Sequence, residues 1–177
     1  MKKLFSLPFI LVLALIPMLS LSSCDSDDPN NWPDIDYYPI TFDISCVNSL
    51  GVDLLDTETE GNIVNNDIKV LYDGEWYRLS ESAWPEHASR TYFAQWHSPY
   101  IETVKAPDGA MTKTIRIGEI DGGKTATTDI ILSIGNRSFN LSVTNKVKPG
   151  TLKVTRHYYL DGKKIDNDRG FYSIILK

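Results

Sequence analysis

The stretch Ile68-Lys69-Val70-Leu71-Tyr72-Asp73-Gly74-Glu75-Trp76-Tyr77-Arg78-Leu79 decides the fold. Two runs rich in aliphatic and aromatic residues flank Asp-Gly, a pair that tolerates the two left-handed residues of a type I′ turn, so the stretch predicts a two-residue β-hairpin. Counting outward from the turn pairs Tyr72 with Glu75, Leu71 with Trp76, Val70 with Tyr77 and Lys69 with Arg78. Ile68, Val70, Tyr77 and Leu79 then share a core face. Leu71, Trp76, Lys69 and Arg78 take the other, where two like charges placed opposite each other favour water.

The same period of two runs through the chain from residue 40 onward. Ile40, Phe42 and Ile44 alternate with Thr41, Asp43 and Ser45, and Cys46 continues the apolar series as a buried small hydrophobe. Ile115 and Ile117 alternate with Thr114 and Arg116. Ile130, Leu132 and Ile134 lead through Gly135-Asn136-Arg137-Ser138 to Phe139, Leu141 and Val143, a second hairpin. Asp161-Gly162 turns a third, with Leu152, Val154, Tyr158 and Leu160 on one face of its first arm, and residues 171–176 supply the last strand. Residues 80–89 read as a long loop or a single helical turn, and residues 104–112 as a connection through Pro107-Asp108-Gly109. No segment carries a helical apolar stripe. The expectation is an all-β protein, an antiparallel immunoglobulin-like or transthyretin-like β-sandwich of about eight to nine strands over residues 37–177.

Ahead of this body, Lys2 and Lys3 precede an apolar run over residues 4–21, the pattern of a secretory signal. Pro8 and Pro17 interrupt it, and it falls short of the ~20 continuous apolar residues of a membrane span. The run closes with Leu21-Ser22-Ser23-Cys24, which resembles a bacterial lipobox. That resemblance implies removal of residues 1–23, lipidation of Cys24 and a membrane as partner through the acyl chains. Of the two cysteines only Cys46 would then keep a thiol, so no intramolecular disulfide forms. Residues 24–36 hold five acids, no base and two prolines, the composition of a solvated tether. The segment is similar to the acidic signal with which Bacteroidetes lipoproteins reach the outer face of the outer membrane. Asp25 departs from this pattern, because in enteric bacteria an Asp after the lipidated cysteine marks inner-membrane retention; a periplasm-facing domain is the alternative. Residues 51–62, from Gly51-Val52-Asp53 to Glu60-Gly61-Asn62, followed by Ile68-Lys69-Val70, resemble the opening of immunoglobulin-like domains in such surface lipoproteins and, more distantly, of transthyretin-like domains. That resemblance implies architecture and location, not an activity.

Signatures of catalysis are missing. There is no Gly-x-Ser-x-Gly, no His-Glu-x-x-His and no glycine-rich phosphate loop. His87, His97 and His157 stand too far apart for a local metal pair, and Asp166-Asn167-Asp168-Arg169-Gly170 reads as an Asx turn rather than a calcium loop. No catalytic residue, metal ligand or cofactor is expected. The conspicuous feature is aromatic: Tyr72, Trp76, Tyr77, Trp84, Tyr92, Phe93, Trp96 and Tyr100 lie within 29 residues. Trp76 on the wet face of its hairpin, with Trp84, Trp96 and Tyr100 beside the long loop, forms the expected platform for a sugar ring or a peptide. The same rings would otherwise plug the end of the sandwich. Glu75, Glu81, Glu86 and Glu102 share the segment, so a glycan-active hydrolase stands as a lesser alternative that needs two carboxylates converging beside Trp84 or Trp96.

With 177 residues and net charge −5, the chain has the size of one domain, and loss of the two leader lysines leaves 16 bases against 23 acids, net −7. An acidic exported chain argues against nucleic acid as a partner. Charge is segregated along the sequence: residues 43–102 hold eleven acids and three bases, residues 103–177 seven acids and thirteen bases. Interleaved strands would neutralise most of this. A basic surface around Lys146, Lys148, Lys153, Arg156, Lys163 and Lys164 would suit acidic glycans or lipid headgroups. The combined expectation is a monomeric, non-enzymatic surface lipoprotein that binds a glycan or a protein. The alternative is an adhesin-like subunit assembling by strand addition through residues 40–44 or 171–176.

Overall fold

The computed structural model describes residues 38–81, 94, 96–149, 153–166 and 170–176. Cys24, the leader, the tether, Trp84, Glu86, His87, Leu152 and residues 167–169 lie outside them. Among the described residues there is no helix, and ten strands run β1 Ile40–Val47, β2 Ile68–Tyr72, β3 Glu75–Arg78, β4 Tyr100–Lys105, β5 Met111–Ile120, β6 Ala126–Ile134, β7 Arg137–Val147, β8 Val154–Leu160, β9 Lys163–Ile165 and β10 Phe171–Ile175. They form two sheets, ordered β10-β1-β5-β4 and β3-β2-β6-β7-β8-β9. The fold is an all-β sandwich.

Local chemistry explains the hairpins. Asp73 and Gly74 both have positive φ, as do Asp161 and Gly162, and these turns set Leu71 opposite Trp76 and Leu160 opposite Lys163. The β6–β7 hairpin pairs Ile134 with Arg137 across Gly135-Asn136. Three features differ from the sequence expectation. Residues 104–112 are a tight hairpin and not an open connection: Val104 pairs with Thr112 and Lys105 with Met111, and Gly109 N donates to Ala106 O at 2.9 Å. With β4 and the short β9, the strand count reaches ten. The sandwich is also not purely antiparallel, since β10 lies parallel to β1 with Ile44 beside Tyr172 and Cys46 beside Ile174. Parallel pairing has no turn to announce it, because its partners are joined by a long crossover.

The core fills the space between the sheets. Ile40, Phe42, Ile44 and Cys46 from β1 meet Ile115 and Ile117 from β5, and across the gap Ile68, Val70, Ile130, Leu132, Leu141 and Val143. Phe42 ties the layers together: its ring stacks on Tyr172 at 6.0 Å and meets the Tyr158 ring edge-on at 5.5 Å. Leu79 packs half-buried against this core, and Tyr77, paired with Val70, lies on the same side of its hairpin. Cys46 is fully buried, and desolvation, then the charge of Asp53, pushes its thiol up to about 12.

Strand directions give the sandwich two unlike ends. One end holds Tyr38, the start of β1, the β5–β6 turn and the β7–β8 turn; the other holds the start of β2, the end of β3 and the β6–β7 turn. Eight residues of β1 at ~3.3 Å each separate these ends by about 25 Å.

Candidate functional site

The candidate site grows from the outer face of the β2–β3 hairpin. Because the turn is two residues long, Trp76 cannot avoid the solvent face, and half of its surface is exposed. Beneath it the face continues through Leu71 to Ile131 of β6. Lys69 Nζ lies 5.1 Å from the centre of the Trp76 ring, within cation–π range.

The opposed cations Lys69 and Arg78 are reconciled by a residue the sequence reading passed over. Asp67, just before β2, accepts from Lys69 Nζ at 2.9 Å and from Arg78 Nη1 at 2.6 Å. The Lys69 hydrogen bond and the Arg78 charge hold its carboxyl below the usual carboxylate range. Asp67 also lines an open cleft of about 540 Å³, together with Asn65, Asn66, Arg78, Ser80 and Glu81, over a floor that includes Leu79 and Ile101. Trp76, Lys69, Asp67 and Arg78 therefore form a continuous strip from an exposed indole to a polar cleft. A second depression of about 390 Å³ lies on the far side of Asn66 and Asp67, against Asn136 and Arg137. Both open at the end of the sandwich remote from Tyr38.

The expected four-ring platform is not assembled. Trp96 stacks on Tyr72 at 3.8 Å and meets Tyr77 edge-on at 5.5 Å, which places it on the inward face of the hairpin, opposite Trp76. Tyr72 and Tyr77 alternate with Leu71 and Trp76 along their strands, so a ring that packs on the first pair cannot join the second. Trp96 plugs the sandwich. Tyr100 is buried, 5.3 Å from the ring of His97, on the other sheet. Trp84 lies outside the described residues, leaving Trp76 as the exposed member of the set in view.

The carboxylates fare similarly. Glu75 accepts from Tyr77 Oη at 3.1 Å, and the charge of Asp73 also acts on Tyr72 and Tyr77. Glu102 is held at 2.5 Å by Arg116, which also donates to both carboxylate oxygens of Asp43. Glu81 lies in the cleft with Asp67, whose charge is already shared by two cations. His97 is buried, with Nδ1 3.0 Å from Ser98 O, and His157 is half-buried on the outer face of β8. Among the described residues no three His, Cys, Asp or Glu side chains group as metal ligands would.

The sequence signal for the cleft was weak. Asn65-Asn66-Asp67 reads as loop, and only the like-charged pair Lys69 and Arg78 hinted that an anion must lie between them. The chain matches no protein-family model, and neither its sequence nor its fold finds a significant counterpart among curated proteins or solved structures.

Proposed function

We propose that the chain is a lipid-anchored protein of the outer membrane, displayed on the cell surface, whose sandwich is a non-enzymatic binding module for a glycan. The observation that carries this reading is the strip from Trp76 to the Asp67 cleft. An exposed indole beside Lys69 offers an apolar plate to a sugar ring, and Asn65, Asn66, Ser80 and Glu81 offer hydrogen-bonding groups at its end. The alternative of assembly by strand addition loses residues 40–44 as its docking strand, because β10 already occupies that edge of β1 and buries Tyr172 and Ile174 there; residues 171–176 remain an edge strand.

A glycan array tests the ligand and membrane fractionation tests the anchor. Wild type should bind a subset of glycans, and Trp76→Ala should lose that binding by roughly tenfold or more, the scale of one stacking aromatic. Equal binding by the variant rejects the strip as the site. Cys24→Ala should move the protein out of the membrane fraction, and retention there rejects lipidation.

A further inference from the structure

We propose that the two depressions flanking Asn66 and Asp67 are halves of one site, and that its ligand is an uncharged oligosaccharide laid across the ridge between them, with one sugar ring on Trp76. The inference rests on the glycan-binding reading above and adds to it the length and charge of the ligand. The ridge is the short segment that leads into β2. It carries Asn66 and Asp67 into the lining of both depressions, whereas Arg78 and Glu81 line the first and not the second, and Asn136 and Arg137 the second and not the first. At about 540 Å³ and 390 Å³, each falls within the ~300–1,000 Å³ range of small-molecule sites.

The ridge is tied down on both flanks. Toward the first depression, the Asp67 carboxylate accepts from Lys69 Nζ at 2.9 Å and from Arg78 Nη1 at 2.6 Å. Toward the second, Asp67 O accepts from Gly135 N of the β6–β7 turn at 3.1 Å, and Asn66 N donates back to Ile63 O at 2.9 Å. A chain bound over it orders little protein, so the loss of loop freedom on binding is small. Asn66 is exposed and borders both depressions, which sets an amide, donor and acceptor together, at the middle of the site. The two halves are alike in chemistry. Each joins an apolar floor, Leu79 and Ile101 in the first and Ile63 and Ile134 in the second, to amide groups at its rim, the arrangement that suits the apolar face and hydroxyl edge of a sugar ring. The lining charges cancel, Asp67 and Glu81 against Arg78 and Arg137, and so favour an uncharged chain. Strands β3, β2, β6 and β7 are consecutive in their sheet, so Trp76 on β3 and Arg137 at the start of β7 stand three strand spacings apart, about 14 Å, more than one ring covers. A single terminal sugar would fill one half and leave the other in water.

The test titrates the full chain by calorimetry with ladders of neutral glucose, mannose, galactose and N-acetylglucosamine oligomers, from monomer to octamer. Affinity within the ladder that binds should rise with length until both halves are filled and then level off. Asn136→Ala alters the second depression and not the first, and Asn136, unlike Gly135, has no positive φ, so alanine fits the turn. The variant should weaken the longest oligomers about fivefold, the worth of one hydrogen bond, and leave the shortest bound oligomer unchanged. Trp76→Ala should weaken long and short oligomers alike. An affinity that does not rise with length, or an Asn136→Ala variant that binds long oligomers as wild type does, overturns the two-part site and leaves the Trp76 strip standing. Equal losses on short and long oligomers overturn it too, because Asn136 then acts through the fold. A chain that binds no oligomer of any ladder overturns the glycan reading and this inference with it.

Discussion

Two three-membered ion networks occupy the outer faces of the two sheets, and they are inverse in both sign and setting. On the four-stranded sheet one cation, Arg116, sits between two carboxylates, at 2.8 Å from Asp43 and 2.5 Å from Glu102. The Asp43 side chain is only 12% exposed and that of Arg116 26%. Burial opposes the Arg116 charge, but the Asp43 hydrogen bonds and the charges of Asp43 and Glu102 outweigh it and raise its pKa. On the six-stranded sheet one carboxylate, Asp67, sits between two cations, 42% exposed beside an Arg78 side chain that is 76% exposed. The lesson lies in what each loses when its centre is removed. The first would strand two charges in a low-dielectric setting, whereas the second would release two cations that water already reaches.

The sharpest way to break this contrast is Arg116→Ala. Removing one partner of a buried ion pair costs ~3–5 kcal/mol, and with about a quarter of the side chain in water a loss of about 3 kcal/mol in urea unfolding is expected here. A loss under about 1 kcal/mol would put both networks in the surface class. Next in size, the two tryptophans of the hairpin should separate. Trp96→Ala should cost about 2 kcal/mol, a half-buried fraction of the usual Trp truncation, and Trp76→Ala should stay within about 0.5 kcal/mol. Equal losses would mean that Trp76 is a structural ring.

Proton linkage probes the same division. Asp67, held low by Lys69 and Arg78, Asp56, held low by Lys113 and the Glu58 amide, and Asp121, held low by the Gly123 amide and Lys124, all titrate below their unfolded values. Depressed pKa values contribute stability above the unfolded carboxylate value of about 4, and that contribution disappears as pH falls through the folded values. The midpoint temperature should therefore hold from neutrality to about pH 4.5 and drop below it. At the other extreme Cys46, raised to about 12, favours the folded state fully below its ordinary value and loses that preference as pH climbs toward 12. A thiol reagent should leave Cys46 unmodified in the native protein and label it in denaturant; native labelling would contradict its burial. The smallest effect is expected from Asp67→Asn, which should lower the midpoint temperature at neutral pH only slightly, far less than Arg116→Ala, while weakening whatever glycan binding Trp76 supports. A large thermal shift would move the exposed network into the structural class.

The hairpin register was legible because it is a local property. Asp73-Gly74 has one favourable turn geometry, and a two-residue loop leaves no freedom in the pairing of Leu71 with Trp76. The alternation from Ile40 to Cys46 likewise named the buried face of β1 correctly. The fate of Trp96 was not legible, because its partners Tyr72 and Tyr77 lie about twenty residues earlier and their choice depends on how the chain returns to the sandwich. Nor was the β4–β5 hairpin, whose strands carry Glu102, Thr103, Lys105 and Thr112 and so mask the apolar alternation.

By itself the sequence determined most of the strands, the buried face of β1 and of the β2–β3 hairpin, and the two Asp-Gly turns, since a period of two and a left-handed turn are settled within a few residues. Tertiary structure alone decided the rest. It set β10 parallel to β1, placed Asp67 between two cations, and stacked Trp96 on Tyr72 at the inward face of the hairpin. Each of these joins residues whose proximity depends on the packing of two sheets, and no local preference encodes which distant partner a charge or an edge strand will meet.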